Sequence, residues 1–353
     1  TPTLSSAASD VYKRQFIKGS IVKRRDFITT IAAGAASSTL SLSGCAVQKK
    51  GSDIFHAASD FHTDIYIKGL EKKTRILHLT DTHISIYDEG EKQYHEFGAR
   101  MDNAFLDREH HKTGESVSSV DGFAELMALV KKQEFDFIAL TGDIVNNPSK
   151  ASVKFVIDEI EKTGVPFIYT AGNHDWHYEG MEGSADELRQ TWIEKGLAPF
   201  YGDDNPLCYA RRVNGLNFVC IDNSTYQVND EQLAFFKDQE SFGLPIVLLM
   251  HIPLYTPKAG ERNGVSTCGD PRWGEASDRG YEIERRQKWS KAGNMPSTVE
   301  FVERVKTSDT VVATFVGHIH RARIESLGSS SMQYTTGGSY NGRYRIVEFK
   351  PLA

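Results

Sequence analysis

The segment Val311-Val-Ala-Thr-Phe-Val-Gly-His-Ile-His320 joins an apolar run of six residues to two histidines. Four of the six residues are β-branched, and the run ends at Gly317, so the pattern predicts a buried strand over residues 311–316. The neutral imidazole of histidine is a frequent metal ligand. The end of this strand is therefore a candidate metal site.

Four earlier segments repeat this arrangement. Each is a short apolar run that ends in residues able to bind a metal: 74–80 before Asp81 and His83, 135–141 before Asp143, 166–170 before Asn173, and 245–250 before His251. Helical patterns occur between the strands, over residues 123–132, 151–163, 231–237 and 298–306, with Ser297 expected as the N-cap of the last. Alternating strands and helices predict an α/β fold. Ligands bind at the carboxyl ends of strands in open α/β sheets, so the five motifs are expected to converge.

The motifs supply a metal-ligand set of oxygen and nitrogen donors without thiolate. Such donors suit manganese, iron, zinc or nickel ions rather than a cysteine-rich structural zinc site. Seven ligands are more than one tetrahedral ion needs, and they suit two ions that share a carboxylate. The seven are Asp81, His83, Asp143, Asn173, His251, His318 and His320.

The ordered motifs resemble those of the calcineurin-like metallophosphoesterases. That pattern is Asp-x-His, Gly-Asp, Gly-Asn-His-Asp/Glu, a lone His and Gly-His-x-His, and all five blocks occur here in order between residues 81 and 320. The resemblance implies that one metal is held by Asp81, His83 and His320, and the other by Asn173, His251 and His318. Asp143 would bridge the two ions.

The resemblance also implies a reaction and a fold. His174 would act on the substrate phosphate and the leaving group, and Asp175 would orient it. The fold would be two packed mixed β-sheets flanked by helices, a four-layer αββα sandwich spanning residues 74–350. Two cations neutralise the charge of a phosphoester and activate water as a hydroxide nucleophile near neutral pH. A general acid such as His174 contributes roughly 10²–10⁴-fold.

Some residues near the motifs depart from particular branches of the family or have simpler interpretations. Asn146 stands where purple acid phosphatases have an iron-binding tyrosine, and Trp176-His177 replaces the arginine motif of phosphoprotein phosphatases. His78 is expected to be structural, and His177 to lie in a solvated loop. The long insertions 84–122 and 256–296 are functional or disordered segments. In the second insertion, Arg262, Arg272 and Trp273 could form a substrate lid.

The N-terminal region has the pattern of a bacterial export signal. Lys23-Arg24-Arg25 precedes an apolar stretch, residues 28–42, which is too short to span a membrane. The arginine pair resembles a twin-arginine signal, and Leu42-Ser43-Gly44-Cys45 resembles a lipobox. Residues 22–45 are therefore predicted to be a signal peptide with lipid attachment at Cys45. The protein is expected in the periplasm or at the cell surface, anchored to a membrane by that lipid.

The remaining divisions of the chain follow from composition. Residues 1–21 fit no part of a signal peptide and are expected to be a non-native or mis-assigned extension. Residues 46–73 are polar and mixed, which predicts a tether. Cys208 and Cys220 flank an Asn214-Gly215 turn, and a two-residue turn would place them on opposite faces of a hairpin, so no disulfide is expected.

These observations favour hydrolysis of a small phosphoester outside the cytoplasm, with a slight preference for a phosphodiester. A phosphomonoesterase is the main alternative, and a non-catalytic metal-binding lipoprotein is a third. A metal-dependent amidohydrolase or nuclease is a fourth, although the ordered motifs disfavour the amidohydrolase. The formal net charge of −6 argues against long nucleic acids as substrates or partners.

Overall fold

The first of two mixed β-sheets has seven strands. The computed structural model describes residues 45–47, 53–102, 108–263, 267–273 and 293–352. The strands of this sheet are β1 (Cys45–Val47), β2 (Ile54–Ala58), β3 (His62–Lys68), β4 (Thr74–Leu79), β7 (Phe137–Thr141), β8 (Phe167–Thr170) and β15 (Arg345–Leu352). Their order across the sheet is β1-β2-β3-β15-β4-β7-β8.

The second sheet has six strands, and a short hairpin stands apart from both sheets. The strands of the second sheet are β9 (Cys208–Val213), β10 (Leu216–Ile221), β11 (Ile246–Leu249), β12 (Val311–Val316), β13 (Arg323–Ser326) and β14 (Met332–Thr335), in the order β13-β14-β12-β11-β10-β9. The hairpin consists of β5 (Arg108–Glu109) and β6 (Ser116–Val117). All five strands predicted to precede a metal motif are present.

Helices lie between the strands. They are α1 (His95–Asp102), α2 (Ser119–Lys131), α3 (Lys150–Glu161), α4 (Ala185–Trp192), α5 (Ala198–Tyr201), α6 (Asp230–Ser241), α7 (Pro257–Asn263) and α8 (Pro296–Thr307). A π-helical turn, Ile193–Leu197, joins α4 to α5, and 3₁₀ turns occupy Glu89–Tyr94 and Ser339–Asn341. The four predicted helices are α2, α3, α6 and α8. The last begins earlier than expected, with Met295 as N-cap and Pro296 in the first turn, where proline is favoured.

The two sheets pack face to face through aromatic residues. The ring of Phe218 in β10 lies 4.8 Å from that of Phe137 in β7 and 5.6 Å from that of Phe349 in β15, both edge-on. Helices cover the outer faces. Phe123 of α2 belongs to the same buried cluster as Ile138 of the first sheet. The predicted four-layer αββα arrangement is confirmed. Within the described residues, no helix is long and apolar enough to cross a membrane.

The C-terminal strand β15 lies inside the first sheet. It pairs in parallel with β3, with Ile346 opposite His62, and antiparallel with β4, with Ile346 opposite Leu77. Arg345 at its start is fully buried and donates to the carbonyl of Ser59 and the hydroxyl of Thr63. Strand β15 therefore connects β3 to β4, the strand that precedes the first metal motif.

The prediction of a tether over residues 46–73 was wrong for residues 54–68. Residues 54–58 and 62–68 form strands β2 and β3, which pair antiparallel with each other. Along β3 the side chains of Thr63, Ile65 and Ile67 are buried, and those between them are partly exposed. This period of two is the pattern of a half-buried strand, but the polar face made the segment look like a linker.

The prediction for the cysteines was correct. Asn214 and Gly215 form a two-residue turn with positive φ angles, and the register places Cys208 opposite Ile221. Cys208, Cys220 and Cys268 are buried free thiols. The predicted extension 1–21 and the signal peptide as far as Gly44 lie outside the described residues, and of Cys45 the structure describes only its place in β1.

Candidate metal centre

The predicted ligands meet at the carboxyl ends of the central strands. Asp81, His83, Asp143 and His320 form a first ligand group, in which one donor atom from each lies within 4.8 Å of the others. Asp143, His251 and His318 form a second ligand group by the same measure. Asp143 belongs to both groups, as expected of a residue that bridges two ions.

The seventh predicted ligand, Asn173, lies in the loop after β8. The backbone N–H of the next residue, His174, donates to Asp143 Oδ1 at 2.8 Å, which ties this loop to the shared carboxylate. Asn173 is buried, and its Oδ1 accepts no hydrogen bond from any described residue. A buried carbonyl oxygen without a donor is rare in proteins, and a metal ion is one partner that would satisfy it.

The backbone at the strand ends is strained at the ligands themselves. Of the seven non-glycine residues with positive φ in the described part of the chain, five are predicted ligands: Asp81, His83, Asp143, His318 and His320. This conformation is unfavourable for residues with a Cβ and is concentrated at functional sites. Backbone strain is therefore concentrated at the candidate metal centre.

Two motif glycines allow the strand ends to approach the carboxylates. A Cβ on Gly317 would collide with the hydroxyl of Thr80 and the carboxylate of Asp81, and a Cβ on Gly172 would collide with the carboxylate of Asp143. At Gly317 the close approach allows a hydrogen bond, because the next residue, His318, donates its backbone N–H to Asp81 Oδ2 at 3.0 Å. Glycine is therefore required by the packing of these loops.

Hydrogen bonds fix which ring nitrogen two of the histidines present to the centre. His251 Nδ1 lies 2.8 Å from the carbonyl oxygen of Thr141, which can only accept, so Nδ1 carries the proton. The Nε2 atom of His251 therefore faces the centre, where it lies 3.2 Å from Asp143 Oδ2. His83 Nδ1 is 3.2 Å from Asn146 Oδ1, which leaves its Nε2 to face the first ligand group. Such outer partners are typical of metal-binding histidines.

The electrostatics of the cluster favour a bound cation. Burial would raise the pKa of Asp143, but His251 and His174 hold it well below its usual range. Burial would lower the pKa of His251, yet the carboxylates of Asp143 and Asp81 raise it to about 10. Burial and the charge of His251 lower the pKa of His318 to about 3. The paired buried carboxylates thus need positive charge beside them, which divalent ions would supply.

His174 stands at the edge of the first ligand group. It is partly exposed, and its ring centroid is 4.7 Å from that of His83. The carboxylate of Asp175 accepts the backbone N–H groups of Gly172 and Val145 at 2.7 and 2.8 Å. Burial and the nearby Asp143 raise the pKa of Asp175 to about 7. By these contacts Asp175 holds the loop that carries His174, and Asn146 Oδ1 lies 3.2 Å from Nδ1 of the His174 ring.

Asn146 is a site residue whose role the sequence analysis missed. Its Oδ1 lies 3.2 Å from Nδ1 of both His83 and His174. Its Nδ2 donates to Asp102 Oδ1 at 3.1 Å, which sets the orientation of the amide because a carboxylate oxygen can only accept. Its position three residues after Asp143 is the one sequence signal of a place near the centre, and by itself that position indicates only that no tyrosine ligand is present.

Tyr226 is a second missed residue. Its hydroxyl lies 2.8 Å from His318 Nε2, and its side chain is fully buried. It follows β10, a strand without a metal motif, so no pattern in the sequence connected it with His318. It stacks on Trp273 from the second insertion, with ring centroids 4.7 Å apart.

Other residues named from the sequence have mixed outcomes. His78 is structural as expected, with its ring between the hydroxyls of Thr141 and Thr336. The expectation of a solvated loop for His177 was wrong, because its side chain is buried and stacks on Trp176. Trp273 is buried rather than placed as an exposed lid residue, Arg272 forms an ion pair with Asp270, and the side chain of Arg262 lies outside the described set.

Comparisons with known proteins show a family match and several similar proteins. Residues 74–322 match the Metallophos family, described as calcineurin-like phosphoesterase. The DNA double-strand break repair protein Mre11 of Sulfurisphaera tokodaii is 32% identical over 108 residues, which cover 29% of this chain and only 22% of that protein. A Psychrobacter protein named "Probable cyclic nucleotide phosphodiesterase" is 20% identical over 323 residues, covering 83% of this chain and 82% of its own. A dimetal phosphatase from Danio rerio is 10% identical with a TM-score of 0.46, covering 77% of this chain and 91% of its own.

Proposed function

Because the chain belongs to the calcineurin-like phosphoesterase family, we propose that it hydrolyses a small phosphodiester at a centre of two metal ions. Family membership makes it a metal-dependent phosphoester hydrolase; the second ion and the diester substrate are the proposed parts. The observation that carries the proposal is the membership of Asp143 in both ligand groups. Two neighbouring ions require a ligand that they share. A carboxylate between the two donor sets meets this requirement, because each of its two oxygens can bind one ion.

The residues present fit such ions. Asp81, His83 and His320 with Asp143 would hold one, and Asn173, His251 and His318 with Asp143 would hold the other. When bound, the ions supply charge neutralisation at the phosphate and an activated water. Oxygen and imidazole donors leave manganese, iron, zinc and nickel as candidate metals.

The chain's own contribution to bond cleavage would come from His174. It is the histidine beside the ligand groups that is partly exposed and tied to Asp143 through its backbone N–H. A proton on Nδ1 would be held by Asn146 Oδ1, and a proton on Nε2 would then be available to the departing oxygen. Protonation of the leaving group by a positioned histidine is general acid catalysis.

A diester is favoured over a monoester by one relative. The Psychrobacter protein named for cyclic nucleotide phosphodiesterase activity aligns along most of both chains. The match with the DNA repair protein Mre11 covers only 22% of that protein, which is too little to suggest DNA as a substrate. The net charge of −6 also disfavours long nucleic acids.

The test is hydrolysis of bis(p-nitrophenyl) phosphate and of p-nitrophenyl phosphate by the full chain with added Mn²⁺. We expect cleavage of the diester, loss of at least 100-fold in activity in His174→Ala, the lower end of the general acid's contribution, and loss of metal binding in Asp143→Asn. His62→Ala, which changes a histidine of β3 on the first sheet, serves as the matched control.

Each result has a distinct meaning. Cleavage of the monoester alone would replace the diester proposal with a phosphomonoesterase. Two bound ions without turnover of either substrate would favour a metal-binding protein without activity towards simple esters. One bound ion by elemental analysis of the active protein would contradict the binuclear centre.

We also propose that the protein is exported and held to a membrane by a lipid on Cys45. The support is the order of Arg24-Arg25, the apolar stretch and Leu42-Ser-Gly-Cys45 in the sequence. In a bacterial host, the protein is expected in the membrane fraction, extracted by detergent but not by high salt. Cys45→Ala should move it to the soluble fraction, and membrane retention of that variant would exclude this anchor.

A further inference from the structure

The segment Asn223-Ser-Thr-Tyr226, here the 223–226 turn, is a buried element beside the metal centre. It follows β10 and is closed by the backbone hydrogen bond from Tyr226 N to Asn223 O at 2.8 Å. All four residues are buried, and Tyr226 has a φ of 65°. Positive φ is unfavourable for a bulky aromatic residue and persists only where surrounding contacts enforce it.

One end of this turn holds the backbone of a predicted metal ligand. Asn223 Oδ1 accepts the backbone N–H groups of His251 and Ile252 at 3.2 and 3.0 Å. Asn223 Nδ2 donates to the carbonyl oxygen of Ile252 at 2.7 Å. These three bonds satisfy the backbone at the end of β11, where His251 leaves the strand.

The other end holds the ring of a second ligand. The hydroxyl of Tyr226 lies 2.8 Å from Nε2 of His318, and the two rings meet edge-on with centroids 5.4 Å apart. On its other side the Tyr226 ring stacks on Trp273, which is 3% exposed. Between the two ends, Ser224 Oγ accepts from Nε1 of Trp176, three residues after Asn173.

These contacts join the three chain segments that carry Asn173 and two members of the second ligand group, His251 and His318. We propose that Tyr226 is a positioning residue for that group, acting through His318. Its hydroxyl accepts the Nε2 proton of His318, so that Nδ1 is the nitrogen that faces Asp143 and the metal. The stack on Trp273 fixes the hydroxyl, so the second insertion contributes to the metal centre by packing. This inference rests on the proposed binuclear function.

The test is titration of metal-free full-length protein with Mn²⁺ by calorimetry, in wild type, Tyr226→Phe and Tyr334→Phe. Tyr334 is a matched control, because it is fully buried and its hydroxyl makes a 2.8 Å bond to His56, which is not a ligand. We expect one of the two binding steps to weaken 10- to 100-fold in Tyr226→Phe, as for other outer-shell partners, with the other step retained. Tyr334→Phe should leave both steps unchanged.

Cobalt(II) gives a second readout that does not depend on turnover. The visible absorption of one bound Co²⁺ should change in Tyr226→Phe, and that of the other should not. Unchanged affinity and spectra in Tyr226→Phe would overturn the inference. Loss of both binding steps, or of the folded state, in that variant alone would show a general structural role and would also overturn it.

The proposed function and this inference fail in different ways. A wild type that binds one ion would contradict the binuclear proposal, and the inference would then be decided by whether Tyr226→Phe weakens that ion. A wild type that binds two ions, with no change in Tyr226→Phe, would leave the proposed function intact and reject the inference.

Discussion

Replacing Asn146 with alanine removes one oxygen that faces two histidines. Asn146 Oδ1 lies 3.2 Å from Nδ1 of His83, a predicted ligand, and 3.2 Å from Nδ1 of His174, the proposed acid. A hydrogen bond of this kind contributes about 1 kcal/mol net, so losing two amounts to about 2 kcal/mol. At 1.36 kcal/mol per tenfold change, kcat/KM for bis(p-nitrophenyl) phosphate should fall roughly 30-fold.

The neighbouring residue offers a matched control for this experiment. Asn147 is fully buried, and neither polar atom of its side chain has a hydrogen-bond partner among the described residues. Asn147→Ala should therefore retain kcat/KM within about threefold, since no bond to a histidine is lost. Asp102→Ala should lower kcat/KM less than Asn146→Ala does, because it removes only the carboxylate that orients the Asn146 amide.

Steady-state kinetics at saturating Mn²⁺ would measure kcat/KM for wild type and each variant. Thermal unfolding would verify that each variant is folded. Full activity in Asn146→Ala would refute the assignment of this oxygen to both histidines. An equal loss in Asn147→Ala would show that the site responds to any change in this loop, and the reasoning from individual hydrogen bonds would fail.

Three further outcomes are expected. Gly317→Ala should abolish metal retention measured by elemental analysis, because its Cβ meets the Asp81 carboxylate; retention of two ions would contradict this packing. Burial lowers the pKa of His56 to about 4 from 6.5, so unfolding free energy should fall by up to about 3 kcal/mol as the pH drops from 6.5 to 4. Urea unfolding of His56→Gln across that range should lack this loss, and an unchanged slope would reject it. Phe218→Ala should cost about 3–5 kcal/mol, since the ring contacts Phe137 at 4.8 Å between the sheets; a cost below 1 kcal/mol in urea unfolding would mean that the sheets repack.

The strands and candidate ligands that could be predicted share one property. In each case an apolar strand pattern is followed, within a few residues, by a side chain able to bind a metal. Val311–Val316 is a run rich in apolar and β-branched residues, and the candidate ligand His318 follows it within two residues, so both can be recognised from the local sequence. Strand β3 was missed because its buried residues alternate with polar ones and only Ile65 and Ile67 are large and apolar. Alternation over so short a stretch resembles a linker.

The residues that support the ligands could not be predicted for a different reason. Tyr226 and His318 are 92 positions apart, and neither position suggests the other. Asn146 depends on Asp102, which lies in the first insertion and was not distinguished there from other acidic residues. Partners of this kind are defined only by the folded geometry, because the hydrogen bonds join loops from separate strands.

The position of β15 determines when this molecule can become functional during synthesis. Residues 345–352 must leave the ribosome before β3 and β4 acquire their common neighbour, so the sheet that carries Asp81 and His83 stays divided until the strand arrives. Ribosome-bound chains that stop before residue 345 should accordingly bind no metal at this edge, whatever the metal supply. A nonsense codon just before residue 345 would remove a strand from the middle of a sheet.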